Sequence, residues 1–242
     1  MTKIQITPDM FDIAFSLSKL RQGNFTNQFT TKKLKELLSD DPVLAQNVEG
    51  VVGYIGDMCA GIMLGLDPHN IMRNMVLDTD LLTHRDECDI VFNGHRIDVK
   101  TEFYPPNKFN SVINRTITKN ETYGCRLIND KQFRDNSHGI DIYLYGTMDN
   151  IDPRKANYWY GIGWISTDRI KEIAPKPSSF SPAGAKLWTP AHCIPNEDLS
   201  DINSLISSKK GAYKYYDNHI LNPKFSELDT RRLNYIFKNS GL

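Results

Sequence analysis

Residues 89–100 read Asp-Ile-Val-Phe-Asn-Gly-His-Arg-Ile-Asp-Val-Lys, and the central Asn93-Gly94 pair decides the local fold. Asn-Gly between two apolar-rich runs is the strongest short-range hairpin signal, because both residues of a type I′ turn need positive φ. The predicted arms are Arg85 to Phe92 and His95 to Phe103. Counting outward from the turn, Phe92 faces His95, Val91 faces Arg96, Ile90 faces Ile97 and Asp89 faces Asp98. Cys88 then meets Val99, and Glu87 meets Lys100. Side chains alternate along a strand, so one face collects Cys88, Ile90, Phe92, Ile97 and Val99. The other collects Glu87, Asp89, Val91, Arg96, Asp98, Lys100 and Glu102.

In this register Asp89 and Asp98 form a non-hydrogen-bonded pair, with Cα atoms about 4.5 Å apart. Like charges directly opposite one another are destabilising. A shared proton or a bound cation relieves the repulsion, and two hard carboxylates suit Mg²⁺ or Mn²⁺. Lys100 points to the same side, so a cation, an activated water and a fixed positive charge could share one site, the parts that phosphodiester hydrolysis needs. An exposed hairpin with a charged outer face accounts for the same residues, with Glu87 and Lys100 as a plain surface pair. Geometry alone leaves both readings open.

Upstream, residues 9–38 read as helical with a polar break from Arg21 to Thr30. Asp40-Asp41-Pro42 is a helix start. Leu44, Val48, Val51, Ile55, Met58 and Ile62 then recur at helical spacing, carrying the helix to about Gly65. Downstream, Gly139 to Thr147 and Tyr158 to Ile165 read as strands and Asp168 to Ala174 as a short helix. Pro175 to Pro195 is read as an irregular crossing segment. From Asp198 the chain looks helical in pieces, Arg231 to Lys238 most clearly. This order predicts a mixed α/β fold, a central sheet flanked by helices with further helices at both ends. No linker divides the chain, so residues 1–242 are taken as one domain.

The 242 residues are 40% hydrophobic and 24% charged, as in an ordinary globular protein, with 29 basic and 29 acidic residues balancing to zero. Overall basicity, frequent among nucleic-acid binders, is lacking, so any phosphate contact depends on local charge. Cys59, Cys88, Cys125 and Cys193 are scattered without a CxxC pair, which predicts reduced thiols and a cytoplasmic setting. The opening MTKIQITPDMF lacks the pattern of a signal peptide. The apolar stretch Gly50 to Leu66 is short for a membrane span and contains Asp57, so a buried helix is expected.

The hairpin resembles the PD-(D/E)XK, or restriction-endonuclease-like, nuclease superfamily. Asp89 stands at the first acidic position of its signature and Asp98-Val99-Lys100 at the second, although Cys88 replaces the usual proline. Members often carry a further acid on a preceding helix, in a glycine-rich setting similar to Gly53-Tyr54-Ile55-Gly56-Asp57. Gly50, Gly53, Asp57 and Gly61 share one helical stripe, and such glycines allow close approach to a sheet. Glu49, on the neighbouring stripe with Gly53, Gly56 and Ala60, is the alternative helical acid. The strand YWYGIGWI is similar to a Gly-Trp strand of some members. The pattern covers Val43 to Ile165.

The resemblance implies an αβββαβ core over about residues 43–175 and a Mg²⁺-dependent DNA endonuclease of restriction type, with Mn²⁺ able to substitute. Its catalytic residues would be Asp89, Asp98, Lys100 and Asp57, or Glu49 for Asp57. Its metal ligands would be Asp89, Asp98 and the peptide carbonyl of Val99. Partners would be double-stranded DNA and, in a dimeric form, a second copy, with no membrane. The alternatives are a DNA-binding or assembly module of this fold without catalysis, and a nuclease for RNA or for branched or damaged DNA. Arg115, Lys119, Arg126, Lys131 and Arg134, and the mixed run Lys209, Lys210, Tyr213, Lys214, Tyr215 and Tyr216, suit phosphate contact and base stacking. His84, Cys88 and His95 suggest zinc only weakly, since Cys88 and His95 fall on the predicted core face.

Overall fold

A computed structural model of the protein describes residues 2–22, 36, 38–67, 71, 88–136, 139–177 and 190–207. The chain opens with strand β1 (Lys3–Gln5) and helix α1 (Pro8–Gln22). Thr7 Oγ1 accepts the Met10 N–H at the start of α1, and Met10, Ile13, Ala14 and Leu17 form its buried stripe. Helix α2 (Pro42–Met63) starts as the sequence predicts, with Pro42 in its first turn and Asp41 accepting the Leu44 N–H at 2.9 Å. The cap satisfies an amide that the helix itself cannot. Leu44, Val48, Val51, Ile55 and Met58 are buried, and Ile62 is half-buried. No helix among the described residues is long and apolar enough to cross a membrane.

The hairpin is present as strands β2 (Ile90–Phe92) and β3 (His95–Glu102). Asn93 and Gly94 have φ of 51° and 81°, and Ile90, Val91 and Phe92 pair with Ile97, Arg96 and His95, the predicted register. Residues 85–87 of the predicted first arm lie outside the described residues. The chain continues through helix α3 (Pro106–Ile113), strand β4 (Cys125–Asn129) and helix α4 (Asp130–Asn136). Strands β5 (Ile142–Met148) and β6 (Tyr158–Ser166), helix α5 (Thr167–Lys171), strand β7 (Ala191–Pro195) and helix α6 (Ile202–Ser207) follow.

One mixed sheet runs β1-β6-β5-β3-β2, with β3 and β5 parallel and the other neighbours antiparallel. Strand β4 does not join it. It pairs with β7 in a separate two-stranded sheet, so part of the predicted irregular segment Pro175 to Pro195 is a strand. The described order after the hairpin is thus helix, strand, helix, strand, with the first of those strands leaving the main sheet. Ile97 and Val99 of β3 and Ile142 and Leu144 of β5 face α1 and α2. On the opposite face, Tyr143 and Tyr145 pack with Val112, Ile128, Phe133, Ile170 and Ile194. With both faces covered, β5 is buried along its whole length, as expected of a strand in a parallel pair.

Candidate active site

A tight chain of contacts seats α2 on the sheet beside Lys100. A Cβ built on Gly56 would lie 1.9 Å from Thr101 Oγ1, so only a glycine fits there. Trp159 Nε1 donates to the same Thr101 oxygen at 3.1 Å, and the Trp159 ring lies flush against Gly146. The glycines of the predicted stripe do not all face the sheet. Gly50 packs against Ser18 of α1, Gly61 against Ile71 and Leu66, and no described atom lies within 4 Å of a Cβ on Gly53. The helix is wedged between α1 and the sheet, so its glycines relieve different neighbours. The one pressed on the sheet is Gly56, on the Glu49 side.

Asp57 follows Gly56 directly. Glu49 is exposed and sits about 12 Å farther up the helix axis. Asp98 is 7% exposed, with its carboxylate 2.7 Å from Lys100 Nζ. Burial alone would pull the Lys100 pKa down. Asp98 first, then Asp89 and Asp57, outweigh it, so the ammonium holds its proton more tightly than an ordinary lysine. Of these carboxylates, that of Asp98 is in direct contact with the ammonium.

Asp89 departs from the predicted geometry. It lies just before β2, and its N–H donates to the Ile97 carbonyl at 2.9 Å. Its carboxylate accepts the Val99 N–H at 2.6 Å. A carboxylate thus takes the place of a strand carbonyl, and regular pairing stops one residue short of the expected Asp89–Asp98 pair. The alternation of faces is lost with it: Cys88 packs against the Tyr143 side of the sheet, not with Ile90 and Phe92. In an extended strand the N–H and C=O of one residue project to the same edge, so the Val99 carbonyl faces the edge that holds Asp89.

The polar row of β3 continues past Lys100 to Glu102, which sequence reasoning left as a face residue without a role. Glu102 accepts bonds from Arg126 Nη1 and the Tyr104 hydroxyl. Burial drives the Glu102 carboxyl pKa up despite Arg126. Arg126 is wholly buried, lies over the Tyr104 ring and also donates to the Tyr123 carbonyl. It is therefore no surface contact for phosphate, contrary to the sequence reading. Arg115 is engaged by the Leu199 carbonyl at 2.8 Å, and Lys119 lies 3.9 Å from Glu197. Lys131 and Arg134 are exposed on α4, the latter 3.1 Å from Asp130. His84 and the run from Lys209 to Tyr216 lie outside the described residues.

Beside this row on β5, Tyr143 is the register partner of Asp98, and Tyr145 that of Lys100. Both are fully buried. Their spacing of two residues in a strand was the available sign that they share a face. Among the described residues no three His, Cys, Asp or Glu side chains come together as a ready ligand cage. All four cysteines are free. A groove of about 730 Å³ lies at the other end of β3 and β5, between His95, Asp141, Trp164, Thr167, Lys171 and Ser204. It is separate from the carboxylate–lysine group. No protein-family model, no curated protein and no solved structure matches this chain.

Proposed function

We propose that this protein is a divalent-metal-dependent nuclease of the PD-(D/E)XK type that hydrolyses phosphodiester bonds of double-stranded DNA. The observation that carries the reading is the largely buried Asp98–Lys100 pair at 2.7 Å beside the Asp89–Val99 contact. The donor set fits Mg²⁺ or Mn²⁺: carboxylates from Asp89 and Asp98, and the Val99 carbonyl directed to the same edge. These are hard oxygen donors, and Mg²⁺ is commonly held by one or two carboxylates with water completing the shell. Such an ion supplies a water of lowered pKa and polarises the phosphoryl group.

In this reading the chain's own residues divide the work. Asp89 and Asp98 hold the ion. Lys100, kept charged by its three acidic neighbours, stabilises negative charge on the phosphate rather than acting as a base. Asp57 maintains that charge from the helix. The choice of DNA rests on the resemblance and on the exposed cations of α4.

A second reading, a DNA-binding module without catalysis, is favoured by one contact. Asp98 and Lys100 satisfy one another at 2.7 Å, as a structural ion pair would. The deciding experiment incubates the protein with supercoiled plasmid, single-stranded DNA or RNA, with Mg²⁺ or with EDTA. Metal-dependent cutting of duplex, abolished in Asp98→Asn, is expected. Cutting of RNA alone changes the substrate, and binding without cutting of any of them supports the module.

A further inference from the structure

On the face of the main sheet opposite α2, three aromatic rings meet beside the β1 edge. Tyr158 and Tyr160, two positions apart in β6, have ring centres 6.3 Å apart and an angle of 64° between their planes. Phe109 of α3 meets Tyr160 at 5.2 Å and 84°. In each contact one ring presents its edge and keeps its faces for another partner. All three side chains are half-buried, and the exposed Lys3 holds its ammonium 4.0 Å from the centre of the Tyr158 ring.

Strand register relates this cluster to the carboxylate–lysine group. Lys3 pairs with Tyr160, Tyr160 with Thr147, and Thr147 with Glu102. Register partners share a face, so Tyr160 stands on the same face as Asp98, Lys100 and Glu102. Two strand spacings across and two residues along put its Cα about 12 Å from that of Lys100. A few nucleotides of extended strand cover that separation.

Charge narrows the class of ligand. Any flat group could stack on such rings, but a neutral sugar would leave the Lys3 ammonium without a counter-charge, whereas a nucleic-acid strand supplies phosphate beside each base. Asp149, just beyond β5, is engaged by the Asn157 and Tyr158 amides at 2.9 and 3.2 Å. A duplex hides its base faces in its own stack, so the strand that fits the rings is an unpaired one.

We propose that Tyr158, Tyr160 and Phe109 form a stacking platform for the unpaired bases of a single strand, with Lys3 against its phosphates. The inference deepens the proposed function and rests on that reading for the duplex alongside: the preferred substrate is a duplex continued by a single-stranded tail.

The test measures anisotropy with labelled duplexes, blunt or carrying an oligothymidine tail, in EDTA so that nothing is cut. Wild type should bind the tailed duplex about 5-fold or more tightly than the blunt one. Tyr158→Ala and Tyr160→Ala should lose that advantage and keep the blunt-end affinity, while Tyr160→Phe, which retains the ring, should keep both. Bromodeoxyuridine in the tail should photocrosslink to the wild-type peptide that holds Tyr158 and Tyr160, a readout that needs no variant. Equal affinity of wild type for both duplexes would overturn the platform, as would a tail preference that survives Tyr160→Ala or crosslinks confined to other peptides. A wild-type oligomer that dissociates in Tyr160→Ala would assign the rings to a second copy of the chain instead. A tail preference in a protein that cuts nothing with Mg²⁺ would leave the platform standing and remove only the nuclease reading.

Discussion

Gly56 of the long helix and Thr101 of the central strand are in such close contact that a single methyl group on the glycine would lie 1.9 Å from the threonine oxygen. Thr101 is branched and also bonded to Trp159, so it cannot turn away without loss. Gly56→Ala should therefore destabilise by about 1–3 kcal/mol, the range for overpacking a well-filled contact. Gly53→Ala, one turn away where no described atom lies within 4 Å, should gain up to about 1 kcal/mol from helix propensity. Calorimetry of the two variants checks this. Equal responses would mean that α2 is not seated on β3 as described.

The helical acid is tested by paired substitutions. Asp57 directly follows Gly56, the glycine pressed on Thr101 beside Lys100, whereas Glu49 is solvent-exposed on an earlier turn. Asp57→Asn should slow single-turnover cleavage by roughly 10-fold or more, while Glu49→Gln leaves it within about 2-fold of wild type. The reverse ranking assigns the role to the other stripe of the helix.

Lys100→Ala should cut the cleavage rate by about 100-fold at saturating Mg²⁺ and leave duplex affinity little changed. The pH behaviour follows from the direction of its shift. A base whose pKa is raised by folding contributes stability that is complete below its unfolded value, ordinarily 10.5, and is lost only as pH rises through the higher folded value. Stability from the Asp98–Lys100 pair should thus stay constant across the neutral range and fall only in strong alkali. Denaturant titrations of wild type and Lys100→Ala between pH 6 and 11 should converge only at the top of that range.

Arg126 separates burial from binding. Removing the wholly buried Arg126 leaves the half-buried Glu102 and the Tyr123 carbonyl without that donor, so Arg126→Ala should cost about 1–3 kcal/mol. The salt dependence of DNA binding by the protein that remains folded should be unchanged. A reduced salt slope, measured by anisotropy, would return Arg126 to the surface role that composition suggests.

Asp152 should govern acid stability. Arg154 donates to it from Nε at 2.9 Å and from Nη2 at 2.8 Å, and bonds Asp40 with the same guanidinium. Those bonds, Arg154 first, hold the Asp152 carboxyl below its ordinary value of 3.8. The stability it contributes is present above that value and lost as pH falls through the lower folded one. Asp152→Asn should melt more than about 3 °C below wild type at pH 7, with the gap closing below about pH 3.5.

The hairpin was legible because turn chemistry is local: Asn93 and Gly94 alone fix the register of the six residues around them. The long helix was legible from its cap and its period. What escaped was set by contacts that no period encodes. Asp89 leaves the ladder because its carboxylate reaches the Val99 amide, and counting by twos runs straight past that point. Strand β4 was missed because its pattern is inverted, with Arg126 inside and Leu127 41% exposed. Its partner β7 lies more than sixty positions farther on, beyond any local signal. Asp98 and Lys100 lie side by side as the alternation of β3 predicts, yet the backbone arrangement beside Asp89 was not the one expected.

The Asp89–Val99 contact also bears on solubility. Among the described residues strand β2 is three residues long and forms the margin of the main sheet, and past Ile90 the β3 edge meets Asp89 instead of a further strand pair. Sheet margins can template strand addition between molecules, and short margins and inserted charges are the usual protection. Asp89 supplies both a charge and a plug, occupying the amide that an incoming strand would need first. Asp89→Ala should therefore self-associate as concentration rises, visible by light scattering, while Asp98→Asn stays monodisperse. Any loss of activity in the first variant would then have two separable origins, one chemical and one colloidal.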